Sequence, residues 1–278
     1  MTSAEFFDFL KKYRDLKTLP NSVAWPDRIG LSDDIWKGIV KLNKWTNKHG
    51  LEYETSCYFA DGDVVFTPPL QGERSSVTST HSMNVKYVPK DPDGSVYEKQ
   101  IYLDGKLAKR VNVKRKNLPQ QGQIKVGFLF NIHSHPIHYL DSRTGKMYDP
   151  ESDPEYQRQK GGFWKNFVKV LTGRYKDPRR ENPNLTRTYS FFSDVDIASL
   201  LSSGAILSGL VTKEFWLVGK TDKAVAKLGP AEISVLMELS RKSYAGDKFL
   251  DNAIKSQMAN LGLVFYRGRF HSTLERIL

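Results

Sequence analysis

One cysteine, Cys57, stands in the whole chain. That excludes an intrachain disulfide, and a chain of 278 residues needs none, because a core of this size is stable without cross-links. The near absence of cysteine suits a reducing compartment. Long hydrophobic runs are also missing, and no segment approaches the roughly 18 consecutive apolar residues that span a bilayer. The N-terminal TSAEFFDFLKKYRDL carries charges throughout and lacks the apolar stretch of a signal peptide. The expectation is a cytoplasmic protein with no membrane span. Histidine is scarce, at six residues, which makes sites needing four or more imidazoles hard to complete. Acidic residues are outnumbered, 31 against 42 basic, giving a formal charge of +11. Such a field attracts acidic protein surfaces, nucleic acid or anionic membrane, and says nothing about fold. The remaining composition, 39% hydrophobic and 26% charged, is that of a globular protein rather than a disordered one.

The pattern along the chain predicts mixed α/β structure. Residues 2–19 predict a helix, with Thr2 and Glu5 at capping-box spacing and Phe6, Phe9, Leu10 and Tyr13 on one face. A proline-containing linker to Gly30 follows. Residues 32–49 predict a second helix, with Ile35, Ile39 and Leu42 as its stripe and Gly50 as its stop. Residues 51–59 and 63–67 predict a hairpin around Asp61-Gly62, and residues 84–89 and 95–103 predict another across Asp91-Pro92-Asp93-Gly94. Lys106 to Lys116 is a basic ribbon. The apolar IKVGFLFNI, residues 124–132, predicts a central strand buried on both faces. Residues 137–189 break the pattern, with one short helix expected near Phe163–Leu171. A helix over 193–202 follows, then two strands around Thr212-Lys213, helices over 230–242 and 246–261, and a short strand in LVFYRGRF.

The informative motif is NIHSHP, residues 131–136, directly after the central strand. Side chains alternate along an extended chain, so His133 and His135 point to one side, where both can reach one metal ion. Neutral imidazole suits zinc. Pro136 lacks an N–H donor and discourages the strand from continuing, which leaves the pair at a rim. Only His138 and His271 lie downstream, so metallo-β-lactamase-like and amidohydrolase sites are hard to complete. In the first, Ile137 also occupies the aspartate position of H-x-H-x-D-H. The chain lacks H-E-x-x-H as well. A carboxylate is the better third ligand, and FFSDVDIASLL offers Asp196, three residues after Ser193. That spacing is equally the way a helix caps its own start. The two roles are compatible, since a cap would fix both side chains at one helix end.

H-x-H-P followed by S-x-x-D, with a glutamate far upstream on a strand, resembles the JAMM (MPN-plus) metalloproteases. The resemblance spans roughly residues 32–220. It implies zinc held by His133, His135 and Asp196, Glu54 as general base with Glu52 as its rival, and Ser193 as the hydroxyl that steadies the transition state. It also implies an MPN-like, cytidine-deaminase-like mixed sheet flanked by helices. On this basis residues 1–30 are an N-terminal helix and linker, 31–222 a catalytic domain carrying the insert 137–189, and 223–278 a mainly helical C-terminal extension. The spacer between the two motifs is far longer here than is usual in the family, and a glycine common after the glutamate is replaced by Ser56 and Cys57 nearby.

The implied activity is zinc-dependent hydrolysis of a peptide or isopeptide bond, and the resemblance extends to bonds joining ubiquitin or a ubiquitin-like protein to its conjugate. The insert is expected at the site mouth as a lid or specificity element, and its basic residues 160–180 are expected to meet substrate or an acidic partner. The alternatives are a non-catalytic MPN scaffold and a basic nucleic-acid-associated protein, the latter without a supporting motif. A cysteine hydrolase built on Cys57 is disfavoured, because a thiol inside an apolar strand is normally inert packing.

Overall fold

The computed structural model describes residues 1–49, 51–71, 82–120, 124, 126–144, 148, 183–189, 191–242 and 252–278. The first helix, α1 (Ser3–Leu16), forms with the expected capping box: the Thr2 N–H donates to Glu5 Oε2 at 2.7 Å, and the Glu5 N–H reaches back to Thr2 Oγ1. A short strand, β1 (Arg28–Ile29), precedes α2 (Asp33–His49). The helix α2 buries Ile35, Trp36, Ile39 and Leu42. It lies close over the sheet at Gly38, where a Cβ would come within 2.6 Å of the Phe66 ring. The expected stop at Gly50 lies outside the described residues.

The strands β2 (Tyr53–Ala60) and β3 (Asp63–Phe66) form the first predicted hairpin. Asp61 and Gly62 both take positive φ, which matches the strand twist in a two-residue turn. A short β4 (Leu70–Gln71) returns along β2. The second predicted hairpin, β5 (Met83–Pro89) and β6 (Val96–Leu103), is extended by β7 (Lys106–Lys114) across Asp104-Gly105, so the basic ribbon is a strand. The central strand is β8 (Val126–Ser134), followed by β9 (Ile137–Asp141) and, beyond the insert, β10 (Leu185–Tyr189). Then come α3 (Asp194–Ser202), β11 (Leu207–Val211), β12 (Phe215–Lys220), α4 (Pro230–Lys242), α5 (Asn252–Asn260), β13 (Leu263–Gly268) and β14 (Leu274–Arg276). The C-terminal stretch expected to be a mainly helical extension therefore also supplies two strands to the central sheet. The helix expected near residues 163–171 lies outside the described residues.

The central sheet runs β1-β14-β13-β12-β11-β8-β2-β3, with β4 beside β2. It is mixed: β8 and β11 are parallel, while the neighbouring pairs β2–β8 and β11–β12 are antiparallel. Alternation along its strands fills two cores. Phe215 and Leu217 of β12, with Val264 and Tyr266 of β13, face the layer of α1 and α2. Trp216 and Val218, with Leu263 and Phe265, face α3, α4 and α5. The result is a three-layered α/β fold with helices on both faces. No helix among the described residues is long and apolar enough to cross a membrane.

The three-stranded sheet β5-β6-β7 stands apart and packs Val85 and Ile101 onto Ala60 and Val65 of the first hairpin. Its seam is ionic. The Asp63 carboxylate accepts from Lys99 and, at 2.9 Å, from Lys109, while Lys99 Nζ also donates to the Asp61 carbonyl at 2.8 Å. Burial alone would raise the Asp63 pKa, but the two ammonium groups outweigh it and hold it below the ordinary carboxylate value. A depressed pKa contributes stability above the unfolded value, and that contribution is lost as pH falls through the folded value. Asp63→Asn should therefore lower unfolding stability by about 3 kcal/mol at pH 7, since Lys99 would be left buried and unpaired. The deficit relative to wild type should begin to shrink as pH falls below the ordinary aspartate value of about 4, and should vanish only below the lower pH at which the native carboxylate protonates. Denaturant titrations at the two pH values measure both effects.

Candidate metal centre

Three strand ends and one helix end meet at the open rim of the sheet. The strand β8 delivers His133 and, one residue past its end, His135, with ring centroids 4.9 Å apart. The parallel neighbour β11 keeps the chain in register through that exit, because the His135 N–H donates to the Val211 carbonyl at 3.0 Å. The intervening Ser134 points the other way and is fully buried. Its hydroxyl accepts from the Tyr53 N–H at 3.2 Å, faces the Tyr53 carbonyl at 3.1 Å and makes a short contact with the Thr46 hydroxyl of α2. One side chain thus pins β8 to both β2 and α2 between the two histidines. The same register sets Glu54 of β2 directly across from His133. Glu52 lies just before β2 and acts on His133 from farther away.

The third group comes from α3. Ser193 is its N-cap and Asp196 its third residue, and the capping box is complete. The Ser193 N–H and hydroxyl both donate to Asp196 Oδ2, at 2.7 and 2.8 Å, while the Asp196 N–H donates to Ser193 Oγ at 3.2 Å. Phe192, before the cap, and Ile197, one position after Asp196, are both buried in the core that α3 faces. That is the spacing of a hydrophobic staple, which fixes the angle at which a chain enters its helix. Phe192 also sets its ring edge-on to His133, with centroids 5.7 Å apart. At the other end of α3, Lys220 Nζ donates to the Ser203 carbonyl at 2.7 Å, a cation where the helix dipole is negative. Both ends of the helix that carries Asp196 are therefore fixed.

The long insert does not separate these groups, because β9 and β10 pair antiparallel with Ile137 opposite Tyr189. The chain leaves just after Pro136 and returns a few residues before Ser193 at the same place. The intervening residues 145–147 and 149–182, including the basic stretch expected to contact an acidic partner, lie outside the described residues.

His133, His135 and Asp196 offer ligand atoms that all lie within 4.8 Å of one another, and the group can hold a metal ion. His133 Nε2 is 3.4 Å from Asp196 Oδ1, and His135 Nε2 is 3.5 Å from Oδ2. Donors about 2.0–2.1 Å from a tetrahedral ion sit about 3.3 Å apart, so the His133 Nε2–Asp196 Oδ1 separation fits an edge of such a polyhedron. The donor chemistry fits too. His133 Nε2 is buried and makes no hydrogen bond, an arrangement native proteins avoid unless something else satisfies the atom. Oδ2 of Asp196 is occupied by Ser193, which leaves Oδ1 as the oxygen open to an ion.

The electrostatics agree with one another. Burial opposes ionisation of Asp196, but His133, His135 and the Ser193 N–H outweigh it and hold its pKa well below the usual carboxylate range. Burial also disfavours the imidazolium of His133, yet Asp196 and the two glutamates raise its pKa above the ordinary value. Desolvation raises the Glu54 pKa, with Asp196 adding to the rise and His133 opposing it. The structure thus brings together all five residues singled out in the sequence, and it adds Ser134, Thr46 and Phe192. Of these, only Phe192 had a local sequence signal, its staple spacing to Ile197. Cys57 is fully buried, with its thiol pKa pushed up by desolvation, so it is no nucleophile.

Comparisons with family models, curated proteins and solved structures find no match to this chain.

Because Ser134 fixes both histidines without touching an ion, Ser134→Val should weaken metal binding by about tenfold to a hundredfold, the usual effect of losing a group that orients ligands. A competition titration against a chromogenic chelator measures it. Unchanged affinity would remove Ser134 from the account.

Proposed function

We propose that this centre binds zinc and that the protein is a metal-dependent hydrolase of amide bonds, as its resemblance to the JAMM metalloproteases implies. One observation carries the proposal: two imidazoles and a pre-oriented carboxylate converge at a rim, with the Glu54 strand position facing one of the imidazoles. Two nitrogens and one oxygen are the donor set of catalytic rather than closed structural zinc sites. Zinc bound there would supply Lewis acidity and a water acidic enough to lose its proton near neutrality. Glu54 would be the base that takes the proton of the attacking water as its oxygen bonds to the amide carbon, and the acid that returns it to the leaving nitrogen as the C–N bond breaks. Its raised pKa favours both halves of this exchange. Ser193 serves as a donor to the developing oxyanion. In the resting site its hydroxyl is given to Asp196 Oδ2, so this role requires the hydroxyl to rotate away from Asp196.

The substrate bond suggested by the resemblance is an isopeptide to the tail of ubiquitin or a ubiquitin-like protein, and the sheet is taken to be MPN-like on the same grounds. A scaffold without catalysis is disfavoured, since His133, His135, Asp196, Glu54 and Ser193 are all retained.

Wild type should purify with about one zinc per chain, and Asp196→Ala with far less. Glu54→Gln should keep its zinc and lose at least about a hundredfold in the chelator-sensitive cleavage of a ubiquitin-like conjugate, while Glu52→Gln should retain most of the rate. The rate of the wild type should fall on the acid side as the Glu54 carboxylate protonates, because the base must be ionised. Metal analysis and rate measurements on the wild type and the three variants, with a pH–rate profile of the wild type, check these outcomes. Full zinc in Asp196→Ala would overturn the ligand assignment.

A further inference from the structure

The sheet β5-β6-β7 has two unlike faces. Inward, Lys99 is matched by Asp63, and Lys109 by Asp63 and Asp34. Outward, Lys86, Arg110 and Lys114 are exposed, with Lys90 beside them at the end of β5, and Glu98 is the one carboxylate on the strands of that face. Glu98 is 3.8 Å from Arg110 and also accepts from Gln100. The basic series continues into the exposed Arg115 and Lys116. One of the two outer strands of this sheet is β7, nine residues long, and among the described residues it pairs only with β6. Its other side presents a row of backbone donors and acceptors. A bare strand edge invites pairing, and lysines along it repel a second copy of the same basic strand. The same charges admit a strand of opposite sign.

We propose that the β7 edge docks an extended acidic segment of a partner protein, which adds as a fourth strand and lays its carboxylates against Arg110 and Lys114. Strand addition gives affinity through main-chain hydrogen bonds, and alternate side chains give specificity. Cross-strand neighbours on one face lie opposite each other, so the favoured segment carries acidic residues four apart, facing Arg110 and Lys114. Two features oppose single-stranded nucleic acid here. It cannot form the ladder of main-chain bonds, and Lys86 Nζ already lies 5.4 Å from the centroid of the Tyr102 ring, over the face on which a base would stack. This surface is independent of the metal centre and of the hydrolase proposal.

The test uses the full chain and a labelled peptide of alternating Glu and Thr. Binding should be salt-sensitive and should weaken by about tenfold or more in the double variant Arg110→Glu, Lys114→Glu, while a Lys/Thr peptide should gain on that variant. Both positions are exposed, Arg110 beside Glu98, and circular dichroism checks that the double variant folds. Methylating alternate peptide nitrogens removes main-chain donors without touching charge, and should cost a similar factor. Equal binding of the methylated peptide, indifference to the double variant, or stronger binding of an oligothymidylate of equal charge would each overturn the proposal.

Discussion

A buried imidazole nitrogen without a hydrogen bond is the constraint on which this site depends. His133 Nε2 lies inside the protein and makes only an ion-pair contact, at 3.4 Å, with Asp196 Oδ1. An unsatisfied buried polar atom costs on the order of 1–3 kcal/mol, and a fold tolerates that cost where the atom serves another purpose. Around it, Ser193 holds one oxygen of Asp196 and leaves the other beside His133, while Ser134 holds the strand that carries both histidines.

The architecture explains how groups so far apart in sequence are brought together. The parallel pair β8 and β11 ends at one rim, and β2 runs antiparallel to β8 so that its first residues reach the same rim. The chain between β8 and β11 must cross over, and it does so through the insert and α3. The β9–β10 pairing closes the insert on itself, so the crossover behaves as if it were short. Helix α3 then enters at an angle set by Phe192 and Ile197 and is anchored at its end by Lys220. Precision at Asp196 follows from a helix fixed at both ends, not from the loop that precedes it.

Much of this was legible in the sequence. The H-x-H alternation placed both imidazoles on one side, the S-x-x-D spacing announced the cap of α3, and Asp61-Gly62 announced the β2–β3 turn. These signals are local, a few residues wide, and depend on backbone geometry alone. The three-stranded sheet was only partly visible, because β7 is a polar strand whose outward side chains are cationic and do not alternate with a strong apolar set. Its second turn, Asp104-Gly105, carries the same signature as the first but was hidden within a basic stretch. The C-terminal stretch showed its helical stripes more clearly than its strands, so its share in the central sheet emerged only from pairing. Ser134 and Thr46 were invisible for a deeper reason: they are 88 residues apart and meet only once the fold exists.

The zinc K-edge absorption spectrum of the zinc-loaded protein tests the central claim most directly. The account predicts a first shell of two imidazole nitrogens and light oxygen donors at about 2.0–2.1 Å, with the shell disrupted in Asp196→Ala. A shell with fewer than two imidazoles, or one unchanged by that substitution, would contradict it.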